Sequence, residues 1–352
     1  MFTLRPTSTH AVLFAAVALL APGCLERKES IQVARDGSVE IRVEIAGDPG
    51  DFTTGDALPE RPGGWQTRDW TSTNDEGKKK QHREATLRVA AGKPLPDSFA
   101  DPAGPNYDTA LLFPTELVIE RRPDATYYHF RRVYVGREHA RYEYYRQTLQ
   151  ENSAAMKQLS QQGLEALDDQ QRAEVIGVLR AIEALKHAEY VHAGVQALED
   201  RWPQHYGLIL RRTVLEHFQN EGVEPVVELL AEPASPERDA AIDEYARRVI
   251  DAVPDVLREK MKELRIPRQQ INVFFAGYEE EEARRAVTED LGDDKLEVRV
   301  ALPGQIVAHN ADELDGEFVV WHLPGKALMD RDVVLMATSR IVRGARAEGP
   351  DE

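Results

Sequence analysis

A single cysteine, Cys24, stands in 352 residues. That excludes an intramolecular disulfide framework and any multi-cysteine metal site. Positive charge is also scarce. Lys and Arg total 44 against 61 Asp and Glu, a net charge of −17. Nucleic-acid binding needs a basic surface, so no nucleic-acid partner is expected. Long apolar runs are missing too: the longest is the 11 residues Ala11 to Ala21. As a helix it would rise about 16 Å, against a hydrocarbon core of about 30 Å. A polytopic membrane protein is therefore excluded. No G-x-S-x-G, P-loop or His-Glu-x-x-His motif occurs, so the chain is read as non-enzymatic, with no cofactor.

What is present begins with an address. A short, weakly basic start precedes the apolar run Ala11 to Ala21, the layout of an export signal. Residues 1–23 are read as a signal peptide. The sequence Leu20-Ala21-Pro22-Gly23-Cys24 follows directly and resembles a bacterial lipobox. That resemblance implies that Cys24 becomes the lipidated first residue, and more than one acyl chain gives stable anchoring. Leu25 stands where an aspartate marks inner-membrane retention in such proteins, which implies the outer membrane, facing the periplasm.

The remainder reads as β, then helix, then β. Ile31, Val33, Val39, Ile41, Val43 and Ile45 alternate with polar residues around Asp36-Gly37, a strong hairpin signal. Trp65 to Thr73 and Lys80 to Ala90 form a second hairpin. Thr115 to Glu120 and Thr126 to Val135 form a third, turning at Pro123-Asp124. From 137 the period becomes helical. Asp168 and Gln171 make a capping-box pattern ahead of an apolar stripe from Val175 to Leu198. Ser235-Pro236 is an N-cap followed by a proline suited to the first turn. Ile271 to Phe275 fits strand or helix equally. After Gly292 alternation returns at Leu296, Val298 and Val300, with further strands at Phe318 to Leu323 and Val333 to Ile341.

The expected fold class is α+β. An antiparallel β domain is built from 24–136 and 292–343, a helical insertion occupies 137–291, and 344–352 is a tail.

Several residues are candidates for function. Tyr128 and Phe130 share one face of a strand and are candidates to line a ligand groove. Lys78, Lys79, Lys80 and Arg83 form the one basic cluster, a candidate contact for anionic headgroups. His187 and His192 are five apart, so their rings do not share a helix face, and they read as solvated surface histidines rather than a metal site. Glu279 to Glu282 read as the first turn of a helix ending near Leu291, where carboxylates favour the positive dipole end. Tyr142, Tyr144 and Tyr145 join the aromatic strand as packing residues.

Two sets of segments carry a family resemblance. One is Ile31-Gln-Val33-Ala-Arg-Asp36-Gly37-Ser38-Val39-Glu-Ile41. The other is Leu302-Pro303-Gly304-Gln-Ile306-Val307, with Asn310-Ala311-Asp312 and Val319-Val320-Trp321. Together they resemble the LppM-type bacterial lipoprotein domain. The helical block lies outside the resemblance. The resemblance implies an envelope lipoprotein with an apolar, lipid-accommodating cavity. The leading reading is a lipoprotein joined to the membrane through Cys24 that binds a lipid or an envelope-protein partner. A scaffold acting through the helical block is the alternative reading, and an envelope enzyme the third.

Overall fold

The computed structural model describes residues 25–342 except 51, 53–55, 74–78, 105–106, 138–146, 199–203, 223, 233–234 and 293. The signal peptide, Cys24, Lys78, Tyr142, Tyr144, Tyr145 and the tail lie outside the described residues. The protein is α+β, with antiparallel-rich sheets and a helical segment between N- and C-terminal strands. It divides into two compact units at 138/139 and 285/286.

The β unit holds eleven strands among the described residues. They are β1 (Glu26–Val33), β2 (Val39–Gly47), β3 (Gln66–Thr73), β4 (Lys79–Val89), β5 (Thr115–Arg121) and β6 (Ala125–Tyr134). After the helices come β7 (Lys295–Ala301), β8 (Gln305–His309), β9 (Glu313–Asp315), β10 (Phe318–Pro324) and β11 (Val333–Val342). One sheet has the order β3-β4-β2-β1-β7-β10-β9, the other β5-β6-β11-β8. All pairings are antiparallel except β1 with β7.

The β1–β2 hairpin forms because Asp36-Gly37 supplies the turn. Gly37 adopts φ 92°, which a side chain resists. The Asp36 carboxylate accepts hydrogen bonds from the amide and hydroxyl of Ser38. Beyond the turn, alternation sends Ile31, Val33, Val39, Ile41, Val43 and Ile45 into one core with Tyr128, Phe130, Leu335 and Ala337 of the other sheet. Each such aliphatic side chain stabilises by about 1.5–3 kcal/mol relative to exposure.

The helical unit is built from α1 (Ala154–Gln162), α2 (Asp169–Gln196), α3 (Gln204–Asn220), α4 (Glu224–Ala231), α5 (Pro236–Asp251), α6 (Val253–Glu263) and α7 (Arg268–Leu291). Asp168 and Gln171 close the capping box on α2. Ser235 caps α5, with Pro236 in its first turn. Val191, Leu210, Val214, Val253, Leu257, Met261 and Phe274 form the centre of the unit's own apolar core.

Ile271 to Phe275 is helical, inside α7. Its last turns, from Ala286, belong to the β unit because Val287 and Leu291 enter that core. The boundary therefore falls at 285/286 rather than at 291. The acidic run Glu279 to Glu282 is consequently not a first turn. It lies some three turns into α7, where Arg284 pairs with Glu280 and Glu281 instead of the helix dipole.

Candidate functional site

The inward face of β1 begins with charge. Arg27 and Glu29 occupy buried positions of the same parity as Ile31 and Val33. Opposite them, β6 directs Arg132 and Tyr134 inward. The Arg132 guanidinium donates to Glu29 Oε2 at 2.6 Å and to Thr115 Oγ1 at 2.8 Å. Arg27 Nε donates to Glu29 Oε1 at 2.9 Å. Tyr134 donates its hydroxyl proton to the same carboxylate at 3.3 Å. Phe113 is shared by both cations, with Arg132 4.8 Å and Arg27 5.4 Å from the ring centroid. Burial alone would raise the Glu29 pKa, but the guanidiniums of Arg132 and Arg27 outweigh it and hold the carboxyl at about 2. Burial, reinforced by the Glu29 charge, pushes the Tyr134 phenol up to about 12. Asp56, 3.6 Å from the Arg27 guanidinium, supplies the second carboxylate, so two cations meet two acids in a buried group that ties the two sheets together.

At the other end of β1 the β unit has an open concavity of about 530 Å³. Val33, Leu302 and Ile306 supply apolar walls, and exposed Leu314 stands at the rim. Gln32, Gln305 and Glu317 add two amides and one carboxylate. The site lies between β8, an edge strand of one sheet, and β9, an edge strand of the other. The short loop joining them is pinned by side chains. Asn310 accepts from the Trp321 indole at 3.0 Å and the Met336 amide at 2.8 Å, and donates to the Val334 carbonyl at 2.7 Å. Asp312 accepts from the His322 amide at 2.7 Å. On the other wall Gly304 adopts φ 90°, and a Cβ there would sit 2.5 Å from the Arg340 carbonyl oxygen. Ser339 Oγ donates to the neighbouring Pro303 carbonyl at 2.7 Å.

Tyr128 and Phe130 do share one strand face, but both are only 2% exposed. Tyr128 donates its hydroxyl to the Arg35 carbonyl at 2.7 Å, and Phe130 lies 6.5 Å from Trp321. They belong to the packed core between the sheets and do not line the concavity. In the basic cluster, Arg83 is engaged by Asp69 in a two-pronged pair at 2.8 and 2.9 Å. Lys80 meets Glu26 at 3.4 Å, and Lys79 is exposed. The structure brings these residues beside the start of β1.

The helical unit corrects the reading of His187. It is 2% exposed, and its Nδ1 is hydrogen-bonded to the Tyr278 hydroxyl. Burial, aided by the neighbouring Lys186 and Arg285 charges, lowers its pKa to about 3, so the ring is neutral. Lys186 pairs with Glu183 at 2.9 Å in the same buried region. Glu282 is pushed up to about 7 by burial and by the charges of Glu279, Asp251 and Glu183.

Sequence reasoning missed Arg27, Glu29 and the concavity. The parity of 27 and 29 with Ile31 was the available signal for the first two. The concavity needs the ends of β1 and β7 beside 314–317, a juxtaposition set by long-range pairing.

No family profile matches the chain, and no curated protein is similar to it in sequence. Among solved structures, the NMR structure of the folded domain of Mycobacterium tuberculosis LppM aligns over 92% of this chain and 93% of that chain, with 11% identity and a TM-score of 0.26. It is a weak structural neighbour. No helix among the described residues is long and apolar enough to cross a membrane.

Proposed function

We propose that this chain is a non-enzymatic envelope lipoprotein, held at the outer membrane through Cys24 and facing the periplasm, that binds an amphiphile in the concavity between β8 and β9. The observation that carries the binding reading is the composition of that concavity. Val33, Leu302, Ile306 and Leu314 offer an apolar surface, while Gln32, Gln305 and Glu317 offer hydrogen bonds at its margin. Its volume of about 530 Å³ falls within the range of small-molecule sites, about 300–1,000 Å³. Two amides and a carboxylate orient a polar head but do not make a nucleophile–base pair.

The test is a titration of a fluorescent acyl-chain probe into the mature protein. Wild type binds saturably. Leu314→Arg, an exposed change that places charge on the apolar rim, weakens binding about tenfold or more, which is about 1.4 kcal/mol. Tyr128→Phe leaves affinity unchanged. Equal affinity of wild type and Leu314→Arg would overturn the site, and no saturable binding by wild type would overturn the function.

A second reading has its own support. The outer face of the four-stranded sheet exposes Val118, Met336 and Val342. They stand among Arg131, His129, Thr338 and Arg340 on that face, a mixed polar and apolar surface of the kind a scaffolding contact to an envelope protein uses. A protein that binds no amphiphile but is held in a complex through Met336, and released by Met336→Glu, would favour it.

A further inference from the structure

The folded β unit starts almost at the attachment point. Leu25 is 6% exposed, its carbonyl accepts the Lys295 amide at 3.0 Å, and β1 begins at Glu26. An extended residue spans at most about 3.6 Å. An acyl-bearing Cys24 therefore keeps the start of β1 within about 7 Å of its own backbone, and no flexible spacer separates sheet from anchor.

The register shows what else lies there. Glu26 pairs with Ala46, Ala46 with His82, and His82 with Trp70, one continuous row across β1, β2, β4 and β3. Strands lie about 4.8 Å apart, so Trp70 is about 15 Å from Glu26 along this row. Trp70 is 41% exposed on an edge strand. Its ring stacks on His82 with centroids 5.0 Å apart, and the Ser72 hydroxyl bonds the His82 ring at 2.7 Å. The indole is thus held by the His82 ring and by the Arg68 guanidinium, 5.6 Å from its centroid, while remaining partly exposed. Beyond it, toward the strand end, come half-buried Lys80 and then exposed Lys79, with exposed Lys295 in the row of Glu26. Glu26 carries the opposing charge in that row, and Asp69 is already taken up by Arg83.

We propose that this end of the β unit rests directly on the bilayer, with Trp70 at headgroup level and Lys79 and Lys80 against anionic headgroups. The inference builds on lipid anchoring at Cys24 and adds a second, non-covalent contact that fixes orientation. An indole suits the membrane–water boundary because one part is apolar and its N–H is wet. Basic side chains near anionic lipid add attraction that a strongly acidic chain otherwise lacks. The concavity lies at the opposite end of β1, on the order of 23 Å away for eight residues. It then opens away from the membrane that holds the protein, and its ligand arrives from the aqueous side.

The experiment uses the full lipidated chain in vesicles of phosphatidylethanolamine and phosphatidylglycerol, with acyl chains brominated near the headgroup. Flotation and the mass of the mature N-terminus report anchoring, and tryptophan quenching reports contact. Trp65 and Trp321 are buried, and Trp202, outside the described residues, is replaced by Phe in every protein compared, so the difference made by Trp70→Phe isolates Trp70. The protein that keeps Trp70 should float and be quenched about twofold more than Trp70→Phe. Lys79→Glu with Lys80→Glu should reduce quenching to the Trp70→Phe level while still floating. Floating protein quenched equally with and without Trp70 overturns the contact and leaves anchoring intact. An unacylated protein that does not float overturns the anchor, and this inference with it.

Discussion

Glu29 of the β unit and His187 and Glu282 of the helical unit are buried in opposite electrostatic settings. In the β unit the Glu29 carboxylate stays ionised because two guanidiniums and a phenol surround it. In the helical unit His187 is neutral, and Glu282 is pushed toward neutrality, because burial meets like charge rather than a counter-ion. The difference follows from position. A two-sheet interior brings β1 and β6 side chains face to face, so cation and anion converge. Along α7, Glu279 and Glu282 are neighbours on one helix, and their charges repel. The β unit thus surrounds its buried carboxylate with guanidiniums, whereas the helical unit sets a neutral His187–Tyr278 hydrogen bond beside the buried Lys186–Glu183 pair.

The largest expected effect breaks the β cluster. Arg132→Met removes one of the two cations facing Glu29 and should cost about 3–5 kcal/mol in denaturant unfolding. Adding Glu29→Gln should recover part of that loss. A cost within experimental error of zero would mean that Arg27 alone satisfies the carboxylate. Next in size, Tyr278→Phe leaves His187 Nδ1 without its partner and should cost about 1–3 kcal/mol. Should it exceed the Arg132→Met cost, the contrast between the units fails.

The pH dependence sharpens the same comparison. Glu29 has a folded value of about 2 against an ordinary 4.5, so its stabilisation is present above pH 4.5 and lost as pH falls toward 2. Glu282 runs the other way. Its folded value of about 7 means that its contribution is present below pH 4.5 and lost as pH rises through 7. His187, at about 3 against 6.5, loses its contribution as pH falls from 6.5 toward 3. Glu282→Gln should therefore be more stable than wild type above pH 7, and the gap should close on acidification to 4.5. A gap that does not change with pH would show that Glu282 titrates normally. The smallest effect belongs to the half-exposed pair: Arg83→Gln should cost about 0.2–1 kcal/mol despite its two-pronged geometry.

Much of the architecture was legible because it is local. Asp36-Gly37, the capping box of Asp168 and Gln171, and Ser235-Pro236 each act within a few residues, and each lies where its chemistry predicts. The order β, helix, β follows from the change of hydrophobic period. Less was legible where burial contradicts polarity. Arg27 and Glu29 have the polarity of surface residues, so the inward-facing start of β1 does not stand out in its sequence. His187 looks solvated until Tyr278 arrives from 91 residues away. The short edge strands β8 and β9 have almost no alternation to read, since most of their residues are exposed. The spacing of Tyr128 and Phe130 puts them on one face, but which space that face meets depends on Trp321 and Leu335 in strands far along the chain.

Photolabelling measures the claimed site most directly. A fatty-acyl probe with a photoreactive group in its chain is bound to the mature protein, irradiated, and mapped by peptide mass spectrometry. Labels should fall on the stretches around Leu302 to Ile306 and Leu314 to Glu317, and free fatty acid should compete them away. Labels concentrated instead on Thr126 to Val135, or scattered labels that no competitor reduces, would contradict binding between β8 and β9.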